Sequence, residues 1–265
     1  MASRKEQKEQ ARARRLAEER ARAEKAQRDR RLRMIGGVVV GAIVVIVAAI
    51  AISSGGSSSA TGLQKGTAAN KTATSVQSLL AGIPQSGAQL GSSTAPVTMT
   101  YYGDLECPIC QDFTLHGGFP ELVSKDVRAG KVKVVYRAFQ TATRDANTFK
   151  NQQVAALAAG QQQRFWNFAE LFYHEQGQED TPYVTESYLA GLAKQIPGLN
   201  ISKWQSDRGD ATLANQVATD GQTGTSIGVS GTPTLVFQGK NGKTATPSAS
   251  VPSYSQLQQT IKQVS

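Results

Sequence analysis

The chain's only two cysteines, Cys107 and Cys110, stand three positions apart in GDLECPIC, and this pair constrains the fold more than any other feature. The β-branched and aromatic run Val97 to Tyr102 precedes it and reads as a strand. A helical stretch follows, broken near Gly117-Gly118 and resumed in FPELVSKDV. KVKVVYRAF then alternates and reads as a second strand. Strand, cysteine motif, helix and strand in that order make a βαβ unit, so the expected fold class is α/β.

Four chemistries compete for the pair. A structural zinc site needs four ligands at short spacings. Here the chain offers two cysteines and two histidines, with His174 lying 64 positions after Cys110. A bracing disulfide around two residues would close a very small loop and gain little loop-closure entropy. A c-type haem attachment needs His directly after the second cysteine, where Gln111 stands. Thiol–disulfide exchange remains.

The local physics agrees with exchange. If the motif opens a helix, Cys107 sits at the positive end of its dipole among free N–H groups, which favours a thiolate. Pro108 suits a first helical turn, where its missing N–H costs nothing. Cys110, one turn on, lies deeper and stays protonated. Cys107 is then the nucleophile and Cys110 the resolving thiol. A second element, Gly231-Thr232-Pro233-Thr234, precedes the strand pattern LVF. Taken alone it reads as a simple turn; beside a C-x-x-C motif it becomes a candidate cis-proline loop. The backbone of Thr232 could then pair with a substrate strand.

Between these elements, residues about 145–220 read as a block of three to five helices, with Phe165, Phe168, Leu171 and Phe172 on one apolar face. The Phe stripe and Trp166 read as core. A last helix, SYSQLQQTIKQV, closes the chain.

Charge is confined to one end. Residues 1–33 hold 13 Lys/Arg against 6 Asp/Glu, leaving +2 of the chain's +9 to the rest. The high pI therefore belongs to this arm, and no nucleic-acid partner is expected. Directly after it, MIGGVVVGAIVVIVAAIAI (34–52) has 19 residues without a charge, about the length that spans a bilayer core. Ala49-Ile50-Ala51 fits a signal-peptide cleavage pattern, but 33 residues precede the run and it is long for a signal peptide, so we read an uncleaved anchor. The first basic residue after it is Lys65. Positive residues stay inside, which makes the arm cytosolic and puts the cysteines outside, in a single-pass cell-membrane protein, where disulfides persist. Residues 53–81, small and polar at their start, read as a flexible tether, and the folded domain is expected over 82–265.

GDLECPIC, KVVYRAF, QQQRFWNFAELFY and SIGVSGTPTLVF together resemble the DsbA-like branch of the thioredoxin superfamily, in its membrane-anchored Gram-positive and actinobacterial form. The resemblance covers roughly residues 82–265. It implies a thioredoxin-like fold with an inserted helical domain, and 123 positions separate Cys110 from Pro233, room enough for it. It implies that Cys107 and Cys110 are the active pair and that Thr232-Pro233 form the cis-proline loop. It also implies oxidation of thiols in exported proteins, with reoxidation by a quinone-linked membrane partner. Two positions depart from the family pattern. Ile109 stands where the strongest oxidants carry His, which implies a higher Cys107 pKa and weaker oxidising power. Tyr101 stands where relatives tend to have an acid that exchanges a proton with the buried cysteine; Asp104 and Glu106 are nearby acids, either of which could equally be a solvated loop charge.

Three functions fit these readings: an oxidase of exported proteins, a reductase running the opposite way (for cytochrome c maturation or thiol rescue), and a membrane-anchored binding or chaperone protein with incidental cysteines. No nucleotide loop, hydrolase triad or metal motif is present in the sequence, and no cofactor is expected.

Overall fold

The computed structural model describes residues 62–265 apart from Asp180. The basic arm expected at 1–33 and the membrane helix expected at 34–52 lie outside the described residues. Among the described residues no helix is long and apolar enough to cross a membrane.

Six strands form one sheet in the order β1-β2-β4-β3-β5-β6. They are β1 Gln85–Ser86, β2 Gln89–Leu90, β3 Val97–Gly103, β4 Val132–Ala138, β5 Thr234–Gly239 and β6 Thr244–Ala245. β3 is central, parallel to β4 and antiparallel to β5. Its residues alternate toward the two faces until Tyr101, after which it is buried throughout, as a strand covered on both sides must be. Tyr101 pairs in register with Tyr136 on one side and Leu235 on the other.

The β3-to-β4 crossover holds α2 (Pro108–Leu115) and α3 (Phe119–Leu122), the latter continued by a π turn over Val123–Val127. Gly117 and Gly118 separate the two helices for a packing reason. A Cβ on Gly118 would lie 2.6 Å from the backbone nitrogen of Tyr254, where the last helix, α9 (Tyr254–Val264), begins. α9 starts on a capping box between Ser253 and Gln256.

Between β4 and β5 lie five helices: α4 Ala146–Gly160, α5 Phe165–His174, α6 Glu186–Lys194, α7 Ile201–Asp207 and α8 Ala211–Ser226. Four of them open on a side-chain cap, from Asp145, Thr185, Asn200 and Asp210, each satisfying an otherwise unpaired N–H of the first turn. Helical structure thus runs on to Ser226, past the expected end near 220. The buried carboxylate of Asp220 on α8 takes Arg137 Nη1 at 2.7 Å and the Ala138 N–H at 3.2 Å, which fastens this block to the end of β4. Trp166 is fully buried, stacks on Phe119 at 5.3 Å and donates its indole N–H to the Ala88 carbonyl.

The tether expected over 53–81 requires correction for its second half. Gly66–Leu80 is a helix, α1, and Leu63, Ala69, Val76 and Leu80 are buried. The Gln64 N–H donates to Glu175 Oε2 at 2.8 Å, and Arg128 reaches the Leu79 carbonyl at the helix end, also at 2.8 Å. The segment is poor in apolar residues overall, but those few fall along one helical stripe and dock against α5, so tertiary burial supplies what composition lacks. Packing therefore starts at Leu63 rather than near residue 82.

Candidate active site

Cys107 ends the loop after β3 and caps α2. Its backbone is extended (φ −73°, ψ 118°) and its sulfur accepts the Cys110 N–H at 3.3 Å. Pro108 occupies the first turn of the helix. Across the cleft, the Thr232–Pro233 peptide bond is cis. The Cys107 thiol donates to the Thr232 carbonyl oxygen at 3.3 Å, so the two motifs, 125 positions apart in sequence, meet at one sulfur.

The two thiols differ sharply. The Cys110 thiol donating to Cys107 brings the Cys107 pKa down to about 7, against the opposing effect of burial. The Thr232 hydroxyl and the N–H groups of Ile109 and Cys110 add to that lowering. Cys110 is fully buried, and burial raises its pKa well above the ordinary thiol range; its bond to Cys107 raises it further. Near neutrality Cys107 is about half ionised, whereas Cys110 keeps its proton. Ile109 is 44 % exposed beside them and brings no hydrogen-bond donor from its side chain. A pKa of about 7 for Cys107 is in the range of thioredoxin, far from the value near 3.5 of the strongest oxidant in the superfamily.

Beneath the pair, Tyr101 is fully buried. Its hydroxyl donates to the Cys110 carbonyl oxygen at 3.3 Å and lies 3.1 Å from Thr114 Oγ1. Burial raises its pKa well above the ordinary phenol range, so this position holds no acid that changes charge near neutrality.

Neither nearby acid is solvated. Asp104 is completely buried and Glu106 is 8 % exposed. Asp104 Oδ2 accepts the N–H groups of Thr141, Ala142 and Thr143 at 2.9, 3.0 and 2.9 Å. Its Oδ1 accepts the Thr143 hydroxyl at 2.6 Å and the Glu106 N–H at 3.1 Å. Five hydrogen bonds occupy this carboxylate, which makes it a clamp between the loop after β4 and the loop that carries Cys107. From the loop after α5, Gln176 Nε2 donates to the carbonyl oxygens of Leu105 at 2.6 Å and Cys107 at 3.3 Å. Neither residues 141–143, which Asp104 holds, nor Gln176 stand near the cysteines in sequence. The only local signal was an acid three positions before Cys107.

A thioredoxin-type sheet whose cysteine-capped helix faces a cis-proline loop defines a thiol–disulfide oxidoreductase of the DsbA-like kind. Residues 85–263 match the thioredoxin family, and the chain belongs to it. The chain is 26% identical over 167 residues to the probable disulfide bond formation protein D of Bacillus anthracis, covering 60% of this chain and 71% of that protein. It is 27% identical over 159 residues to disulfide bond formation protein D of Bacillus subtilis, covering 57% and 67%. The solved structure of oxidised BdbD from Bacillus subtilis shares the fold with a TM-score of 0.56 at 23% identity, over 68% of this chain and 97% of that one.

Proposed function

We propose that the protein introduces disulfides into exported proteins from the outer face of the cell membrane. The observation that carries the exchange chemistry is the cysteine pair set against the cis-proline loop, with the Cys107 sulfur 3.3 Å from the Thr232 carbonyl oxygen. A substrate thiolate attacks the Cys107 sulfur of the enzyme disulfide. The Cys107–Cys110 bond breaks, a substrate–Cys107 disulfide forms, and Cys110 leaves and takes up a proton. The second substrate thiolate then attacks the substrate's own sulfur in that mixed disulfide. A substrate disulfide forms and Cys107 departs as a thiolate, a good leaving group because its pKa is low. Two electrons pass from substrate to enzyme. The relatives named for disulfide bond formation support this direction.

The uncharged run at 34–52 and the charge asymmetry across it support a single membrane anchor with a cytosolic arm. Protease added to intact protoplasts should then digest the thioredoxin domain and spare the arm. Repeated turnover needs reoxidation, and the family resemblance points to a quinone-linked membrane partner.

A reductase is the second reading, favoured by the absence of a side-chain donor at Ile109 and the thioredoxin-like acidity of Cys107. Equilibration in glutathione buffers separates the two. A reduction potential of about −120 to −180 mV supports the oxidase, and one near about −270 mV overturns it in favour of the reductase.

A further inference from the structure

A largely apolar groove of about 650 Å³ lies between α4 and α8. Phe149 lines it from α4, and Ala214, Val217, Ala218 and Gly221 line it from α8. Small residues on the α8 side keep it open. Gly224, further along that helix, is glycine for a packing reason, since a Cβ there would lie 2.6 Å from the Phe139 ring. Gly221 has no such reason: a Cβ on it would meet nothing within 4 Å. A glycine in mid-helix costs stability, and here the missing side chain leaves space in the groove wall.

The groove is continuous with the dithiol site. Gln140 forms part of its wall, and the Gln140 amide donates to the Thr143 carbonyl oxygen at 2.8 Å. The next residue, Thr141, gives its N–H to Asp104 and is hydrogen-bonded, hydroxyl to hydroxyl, with Thr232. The Thr232 carbonyl oxygen in turn lies 3.3 Å from the Cys107 sulfur. An unbroken line of contacts thus joins the reacting sulfur to the groove. Thr225 and Ser226 line it as well, and Ile227, directly after them, is 56 % exposed.

We propose, on the thiol–disulfide reading of the site, that this groove receives the apolar stretch of an unfolded exported polypeptide that flanks the cysteine reacting at Cys107. A furrow with small and aliphatic walls suits aliphatic side chains of an extended chain. Folding buries such side chains, so an unfolded substrate is the one that presents them beside a free cysteine. Lys150 is the one charged residue in the lining, which disfavours a basic flank. Among the described residues only Ile109 and Ile227 are large, apolar and exposed. That is too little for the face of about 800 Å² per partner that a stable pairing of folded chains needs.

The test uses the oxidised full chain in lipid nanodiscs, so that no detergent fills the groove. Two synthetic peptides carry the same pair of reduced cysteines and an uncharged flank of about eight residues, about 26 Å when extended. One flank is rich in leucine and valine, the other in serine and glutamine, and each is tried on both sides of the cysteines. Acid quenching and mass measurement give the rate at which each peptide gains its disulfide. In at least one placement the wild type should oxidise the apolar-flanked peptide roughly tenfold faster. Gly221→Leu and, independently, Ala218→Leu fill the groove and should bring that ratio to about one; a ratio cancels any change in the dithiol itself. A wild type that oxidises both peptides equally overturns the proposal, and so does a preference that survives both substitutions, which would arise at the lipid surface or at Ile109 instead. A preference that fades as the protein is concentrated overturns it in favour of a second copy in the groove. A wild type that oxidises neither peptide nor dithiothreitol overturns the thiol–disulfide reading as well, whereas one that oxidises dithiothreitol without a peptide preference overturns the groove alone.

Discussion

The Thr232 carbonyl oxygen lies 3.3 Å from the Cys107 sulfur and accepts a hydrogen bond from its thiol. That bond exists only for the thiol. When Cys107 ionises, the carbonyl is released to accept an N–H from an extended substrate backbone, just as the sulfur becomes nucleophilic. Attack on a small disulfide probe by the reduced protein should therefore rise with pH through about 7 and level off by about pH 8. Stopped-flow rates that climb only toward pH 9 would contradict this.

Replacing Cys110 with alanine removes the resolving thiol but leaves the nucleophile. Mixed disulfides through Cys107 should then accumulate, resolvable on non-reducing gels, whereas Cys107→Ala should yield none. The variant with only Cys107 should also titrate higher, because the Cys110 thiol is the largest contributor to its lowered pKa.

Glu170 on α5 is fully buried, one of its carboxyl oxygens has no hydrogen-bond partner, and burial raises its pKa from 4.5 to about 8. A raised acid is stabilising below its unfolded pKa, where both states hold the proton. That contribution is lost as pH rises toward the folded value, because the unfolded chain releases its proton first. Relative to Glu170→Gln, the wild type should lose on the order of a few kcal/mol between pH 4.5 and pH 8, read from urea unfolding at each pH. Parallel stability curves for the two proteins would rule this out.

Helix α1 contributes to the folded domain through Leu63, Val76 and Leu80. A chain beginning at residue 82 should be less stable than one beginning at residue 62 and unfold at a lower denaturant concentration, because Leu63, Val76 and Leu80 no longer cover the apolar surface they bury. Equal denaturant midpoints would show that α1 adds nothing.

Local chemistry made the central elements readable. β3, α2, β4 and β5 carry strong period-2 or capping patterns that burial did not need to override. α1 was hidden because its apolar residues are few, and only the surface of α5 reveals that they share a stripe. β6 spans only two residues, too short for any periodicity. At the site, the cysteines announced themselves by spacing, but the clamp did not. Asp104 meets partners 37 to 39 positions away, and Thr141 meets Thr232 across 91. Such contacts follow from β4 ending beside β3, a tertiary fact with no local composition signal.

Full burial of Cys110 also decides how the redox couple counts protons. Below a pH of about 7, reducing the disulfide takes up two electrons and two protons. Above it, only one proton enters, since Cys110 keeps its own, Cys107 stays ionised and Tyr101 beside them adds nothing. The midpoint potential should therefore fall by about 59 mV per pH unit on the acid side and about 30 mV on the alkaline side. Near neutrality the protein sits on the bend, so acidification strengthens it as an oxidant twice as steeply as alkali weakens it.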